Sequence, residues 1–598
     1  MTKRDAGLLS TALLLGLVLR VLFLRDVSGH VLYQVATGDP AVYLNRAWGI
    51  LSGVLVPPHA FFHSCPFYPF VLALIERVVG AGLTPVRIVQ ALVGLGSVAL
   101  VYQLGRITVG RVAGLIAAFF AAAYGPFLFF EAELLEITIV LAAVEGGLVL
   151  LLAAARSGRA WQAAAAGALL GLAGLGKPNI LLFAPAAAGW LYVVLRRGWT
   201  STETRTAVAR ESGAAGRRKP SGRQPFERRR AACVALLVFV AAGVVVLPAT
   251  VHNWRASGDL IPVSSNGGIN LYIGNHPGAQ GVFDVPPSMR FDLRVASKAV
   301  AERAVGRELS DGEVSDYWAG LAFRFMRSDP GAAVRITARK FVLFWNHFEI
   351  PNHYDMNFVA DFAPVLAVTP SRFAVVAPLG LLGLALALRA RKRVGLLVVF
   401  GVVFMGSVLP FFITARYRLA IVPILLVGAG FAVEWFADVV RRRAWRMVGA
   451  TAAVLIVLAA GVNVRTIEYG AGPMHNTLGA ILGSRGDMDG AAEEFAKAVS
   501  VTPNDVTARY NLGLALLELG RPANAIEHLT VATDIHPGYH EALLELARAR
   551  LELGQLDDAE ASARRVLTAD PPAHPQLAAI AKAALDRIEA ARDGTQGR

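Results

Sequence analysis

Eleven apolar runs, each near the roughly 20 residues a helix needs to cross a bilayer, constrain this chain more than any other feature. They lie at 8–24, 84–104, 112–130, 134–155, 160–176, 179–195, 231–250, 372–389, 394–413, 419–438 and 447–464. Hydrocarbon offers no partner for backbone N–H and C=O groups, so each run is expected as a helix. The chain is 55% hydrophobic and only 17% charged, where a soluble protein carries roughly 25% charged residues. The expected fold class is therefore an all-α polytopic membrane protein. The first run is too long, and too poor in small residues at its end, to read as a removed signal peptide.

The net charge of +14 would suggest nucleic acid in another setting. Here the basic residues sit in short segments between apolar runs, which is the signature of topology, and no nucleic-acid partner is expected. Lys3 and Arg4 precede the first run; Arg106 and Arg111, Arg156 and Arg159, Arg389 to Arg393, and Arg441 to Arg443 fall between later ones. The 196–230 segment is a basic cytoplasmic loop, expected as a tether against anionic lipid. With eleven spans the N-terminus lies in the cytoplasm and the C-terminus outside. Residues 66–80 are apolar but short, and read as a helix lying in the outer interface. Cys65 and Cys233 fall on opposite sides, so they do not pair, and neither belongs to a metal motif.

Three pieces then lie outside: a first loop at 25–83, a large loop at 251–371 expected to be a mixed domain, and a tail over 475–590. The tail has a period of 34. Gly486, Gly520 and Gly554 recur at that spacing, as do Pro503, Pro537 and Pro571, and Ala491, Ala525 and Ala559. With Tyr510-Asn511-Leu512-Gly513, this resembles tetratricopeptide repeats, helix pairs stacked into a solenoid. The glycines and alanines are expected to let paired helices pack closely. Such an array implies a protein partner, or else a spacer or self-association role.

Ionisable residues at the edges of membrane helices are costly and point to function. On the outer side stand Asp39 with Tyr43, the His63-Ser64-Cys65-Pro66-Phe67-Tyr68-Pro69 run, Glu133 near Glu136, Lys177, and Arg416-Tyr417-Arg418-Leu419. Asp39 before Pro40 suits a helix N-cap. It suits equally a general base held at the membrane surface. Glu133 and Glu136, three apart, are expected on one face of a helix.

In this order, over residues 5–465, these motifs resemble a GT-C fold glycosyltransferase of family 39, the dolichyl-phosphate-mannose protein mannosyltransferase type. The nearest branches are bacterial aminoarabinose and lipopolysaccharide sugar transferases. The resemblance implies a membrane domain over 1–465 that moves a sugar from a polyprenyl-phosphate donor with inversion. The acceptor would be a protein, lipid or glycan on the extracytoplasmic face. It implies Asp39 as the catalytic acid, alone or with Glu133, because Pro40 stands where many relatives have a second acid. Arg416, Arg418, Lys177 and His63 become candidates for the donor phosphate, since guanidinium binds phosphate through two parallel hydrogen bonds. Tyr43, Tyr68, and Asn270 and Tyr272 in the Gly/Asn-rich start of the large loop become substrate contacts. Relatives differ in metal use, so a divalent metal stays open, although no metal-ligand spacing stands out. The expected location is a bacterial inner membrane. An oligosaccharide ligase or polymerase and a lipid-linked sugar transporter are the alternatives. The first would favour key arginines in a late outer loop, and the second would favour charges at the midplane.

Overall fold

A computed structural model describes residues 2–61, 66–198, 226–284, 293–467, 470–569 and 575–596. They form two compact units, the first of residues 1–28, 36–285 and 292–467, the second of residues 29–35 with the tail. Among the described residues every regular element is helical. A single β-bridge joins Tyr124 to Ser371. The 251–371 loop, expected to be mixed, is likewise helical where described, with helices at Gly267–Gly274, Leu293–Val305, Asp311–Ser328 and Pro330–Trp345.

In the first unit a helix answers each apolar run. Among the described residues, seven are long and apolar enough to cross a membrane: Lys3–Ser28, Leu83–Thr108, Ile137–Ser157, Pro178–Arg197, Arg228–Ser257, Ala415–Arg441 and Trp445–Val462. Four shorter apolar helices, Arg111–Ala122, Ala160–Gly176, Phe373–Arg389 and Gly395–Val408, complete the set. The protein is thus a multi-pass membrane protein. Its helices approach closely where side chains vanish. A Cβ on Gly383 would lie 1.8 Å from the carbonyl oxygen of Gly428, and one on Gly428 would lie 2.3 Å from that of Gly380. Lipid tails are as apolar as leucine, so contact of this kind replaces the hydrophobic effect in holding membrane helices together.

The 112–130 run departs from expectation. Its helix stops at Ala122, Tyr124 is extended, and a second helix runs over Gly125–Ala132. The Gly125 amide donates to the Ser371 carbonyl at 3.2 Å. A Cβ there would meet the Thr369 hydroxyl at 2.7 Å. At 1.5 Å per residue the 111–122 helix reaches only about 18 Å. Beyond the break, Glu131 to Glu136 are buried.

The 66–80 segment is the Tyr68–Val78 helix. It buries Tyr68, Leu72 and Ile75 and exposes Phe70, Leu74 and Val78.

The second unit stacks helix pairs: Gly472–Ser484 with Met488–Val501, Val506–Glu518 with Pro522–Ile535, and His540–Glu552 with Leu556–Leu567. Ala491, Ala525 and Ala559 are fully buried between them, as the period implied. The glycines recur for another reason. Gly486, Gly520 and Gly554 have φ of 86°, 69° and 73°, the left-handed turn that ends the first helix of each pair. A Cβ there would meet nothing within 4 Å, so backbone handedness selects glycine at these three positions, not helix approach.

Candidate active site

The helix Asp39–Leu51 begins one residue earlier than a cap would place it. Gly38 is the N-cap, with φ of 61°, and Asp39 is the first helical residue. The capping reading of Asp39 is therefore corrected. Its carboxylate instead reaches across the fold, where Oδ2 accepts from Arg416 Nη1 at 3.1 Å. The Arg416 side chain is 7% exposed and that of Asp39 32% exposed, so the base candidate keeps an open edge.

Arg416 sits on the short turn Ala415–Arg418, which the backbone pins from both sides. Ile413 N–H donates to the Gly281 carbonyl and Ala415 N–H to the Ile350 carbonyl, both at 2.9 Å. Arg418, two residues on, points elsewhere. It pairs with Glu349 at 2.8 Å, donates to the carbonyls of Asn346 and Phe348, and lies over the Phe373 ring at 4.0 Å. The expected phosphate role of Arg418 is thus corrected. It is a buried lock on the 346–349 turn, because residues two apart on a helical turn face different ways. Glu349 is the other half of that lock.

Glu133 and Glu136 do not share a helix face. Glu133 is extended at the end of one helix, and Glu136 caps the start of the next. Gln90 fixes the connection by donating to the carbonyls of Glu131 at 2.9 Å and Glu133 at 2.7 Å, and Arg87 donates to that of Ala132 at 3.0 Å. Burial raises the Glu133 carboxyl to about 8, against the pull of Arg416 and with the push of Asp39. Burial therefore favours its protonated form. Glu136 pairs with Lys177 at 2.8 Å, and the Lys177 ammonium lies 4.6 Å from the Tyr417 ring centre. Lys177 therefore reaches the neighbourhood of Arg416 already bound to a carboxylate.

Tyr43 and Tyr68 are buried edge to face, 5.4 Å apart, and the Tyr68 hydroxyl donates to Gln90. They anchor the Asp39 helix to the Glu133 connection. Asn270 and Tyr272 stand in the outer-loop core, where Tyr272 packs on Trp318 and His276. His63 lies outside the described residues. No group of three or more His, Cys, Asp or Glu converges to hold a metal ion among the described residues.

His353 and Thr37 complete the cluster. The Thr37 hydroxyl and His353 Nε2 share a hydrogen bond of 2.8 Å, and a Cβ on Gly38 would lie 2.9 Å from the His353 ring. Burial lowers His353 to about 4, the largest influence on it, so it is neutral at pH 7 and its bond to Thr37 does not switch. Gly38→Ala is expected to cost about 1–3 kcal/mol, because its φ suits glycine and the ring blocks the methyl. Thermal melting in detergent checks the cost. Adding His353→Ala should relieve the clash and leave the backbone strain.

Residues 62–209 match the family model described as dolichyl-phosphate-mannose-protein mannosyltransferase. Tetratricopeptide repeat models match 477–540 and 516–585. No curated protein sequence matches the chain. Among solved structures, the Archaeoglobus fulgidus oligosaccharyltransferase is similar at 15% identity and a TM-score of 0.43, over 77% of this chain and 54% of its own. The chain thus spans about half the length of that enzyme. ArnT from Cupriavidus metallidurans, bound to undecaprenyl phosphate, is similar at 15% identity and a TM-score of 0.37, over 92% of this chain and 79% of its own. The first tetratricopeptide domain of human RPAP3 is similar at 21% identity and a TM-score of 0.19, over 21% of this chain and 95% of its own. Residues 62–209 of the chain are thus similar to the family described as dolichyl-phosphate-mannose-protein mannosyltransferase, and residues 477–585 to tetratricopeptide repeats.

Proposed function

We propose that the protein is an integral-membrane glycosyltransferase of GT-C type. It moves one sugar from a polyprenyl phosphate to an acceptor hydroxyl on the extracytoplasmic face of a bacterial plasma membrane. The observation that carries this is the Asp39–Arg416 pair, a base candidate and a phosphate-binding cation held together by elements far apart in sequence. Asp39 takes the proton of the acceptor hydroxyl. The acceptor oxygen forms a bond to the anomeric carbon as the bond from that carbon to the phosphate oxygen breaks. The electron pair leaves with the polyprenyl phosphate, where Arg416 meets the growing charge. One displacement inverts the anomeric centre. Lys177, paired with Glu136, packs on Tyr417 beside Arg416, and Glu133 offers a hydrogen bond when protonated. The tetratricopeptide array recruits a protein acceptor or partner.

The test is transfer by the reconstituted protein from a labelled polyprenyl-phosphate sugar, with the anomeric configuration of the product read by NMR. Passage of intact lipid-linked sugar across the bilayer without transfer, or a retained configuration, would replace this reading.

Glu133 gives a pH prediction. Its folded value of about 8 lies above the ordinary 4.5. Its contribution to stability is therefore fully present below about 4.5 and is lost as pH rises through about 8. Transfer is expected to fall on the alkaline side of that value, as a second carboxylate charge appears beside Asp39. Glu133→Gln, which imitates the protonated form, should keep most activity at pH 7 and flatten the alkaline fall. A steep loss at pH 7 would assign Glu133 an ionised role instead.

A further inference from the structure

The Pro330–Trp345 helix of the large outer loop is held by one face and leaves the other apolar. Asp329 caps it, accepting from the Ala332 amide at 2.8 Å, and Pro330 takes the first position. On the inner face Lys340 is fully buried. Its ammonium donates to Asn275 Oδ1 at 2.9 Å and to the Pro410 carbonyl at 3.2 Å, with Leu343 and Phe344 buried beside it. These bonds fix the rotation of the helix about its axis.

The opposite stripe follows from that rotation. Positions 334, 338, 341 and 345 recur at i, i+4, i+7 and i+11 and share one face. Val334 is 68% exposed and Phe341 46% exposed, Ala338 is exposed, and Trp345 is half-buried at the end. Arg335 and Arg339, both exposed and one turn apart, run along the flank with Val342. The preceding helix, Asp311–Ser328, ends in the same combination, with exposed Phe323, Arg324 and Arg327. No ion pair joins these four arginines to a carboxylate among the described residues.

An outward apolar stripe bordered by guanidinium groups matches the membrane–water boundary. The acyl boundary takes the stripe, and headgroup phosphates take the arginines. Trp345 ends the stripe at a run of aromatic residues, the composition of the membrane–water boundary. We infer that the 330–345 helix lies in the outer leaflet and docks on anionic phospholipid, with Val334, Phe341 and Trp345 in the acyl boundary and Arg335 and Arg339 on lipid phosphate. This interaction is independent of sugar transfer.

The full-length protein carrying photoreactive benzoylphenylalanine in place of Phe341 tests it, in nanodiscs of phosphatidylcholine with or without phosphatidylglycerol. Irradiation is expected to yield phospholipid adducts in both bilayers, enriched several-fold in phosphatidylglycerol when it is present. Arg335→Gln with Arg339→Gln should abolish the enrichment and leave the adduct to neutral lipid. Native mass spectrometry should show fewer phosphatidylglycerol molecules retained by the double variant. Excess inorganic phosphate should not displace the lipid. Adducts to protein alone, enrichment unchanged by the double variant, or displacement by free phosphate would each overturn the inference.

Discussion

Asp39→Asn is expected to lower transfer by about 10²–10⁴-fold, the usual worth of a positioned general base, in protein that inserts normally and still binds donor. The substitution separates the two roles a residue at a helix start can play. Asparagine serves a helix N-terminus about as well as aspartate, and its amide oxygen still accepts from Arg416. A structural Asp39 would therefore tolerate the change. A proton acceptor would not, because the amide has no basic oxygen at working pH. The change costs about 0.3–1 kcal/mol through the helix dipole and leaves buried Arg416 with a neutral acceptor, so the melting temperature in detergent is read beside turnover to separate a loss of fold from a loss of chemistry. Turnover of labelled donor in proteoliposomes reads the result, and donor binding measured beside it guards against misfolding. Full turnover in the Asn variant would remove Asp39 from the reaction.

Arg416 was legible in the sequence because it stands between the apolar runs 394–413 and 419–438, where a charge is costly without a use, and Asp39 because Asp-Pro opens a helix in the first loop. The apolar runs themselves located the helices. Sequence spacing went astray where the chain bends. The 112–130 run is hydrophobic throughout, yet Gly125-Pro126 and the backbone contact with Ser371 divide it. Glu133 and Glu136, read as helical neighbours, flank that division. Arg416 and Arg418 looked equivalent in an Arg-Tyr-Arg run. Only the turn geometry sends one to Asp39 and the other to Glu349. His353, Thr37, Arg87 and Gln90 carried no signal. Each matters through a partner distant in the chain, such as the 316 positions between Thr37 and His353. The glycine before Asp39 was the one available hint, and its reason, room for the His353 ring, is tertiary.

Arg416→Gln is expected to lower turnover by roughly 10²–10³-fold, the range for removing one donor to a developing oxyanion. The donor's KM should change less than kcat, since the phosphate gains charge as its bond to the sugar breaks. Arg416→Lys should recover only part of the loss. An ammonium is a point charge, whereas the guanidinium fork can hold Asp39 and phosphate at once. Joined with Asp39→Asn, the Gln variant should cost far less than the product of the two single losses, because both groups serve one step. Arg418→Gln supplies the contrast. It leaves Glu349 buried without its partner, a defect that typically costs about 3–5 kcal/mol, and should appear as a lower melting temperature in detergent. If Arg416→Gln instead melted early and turned over normally at low temperature, Arg416 would be a lock like Arg418, and the donor phosphate would have to be met by Lys177.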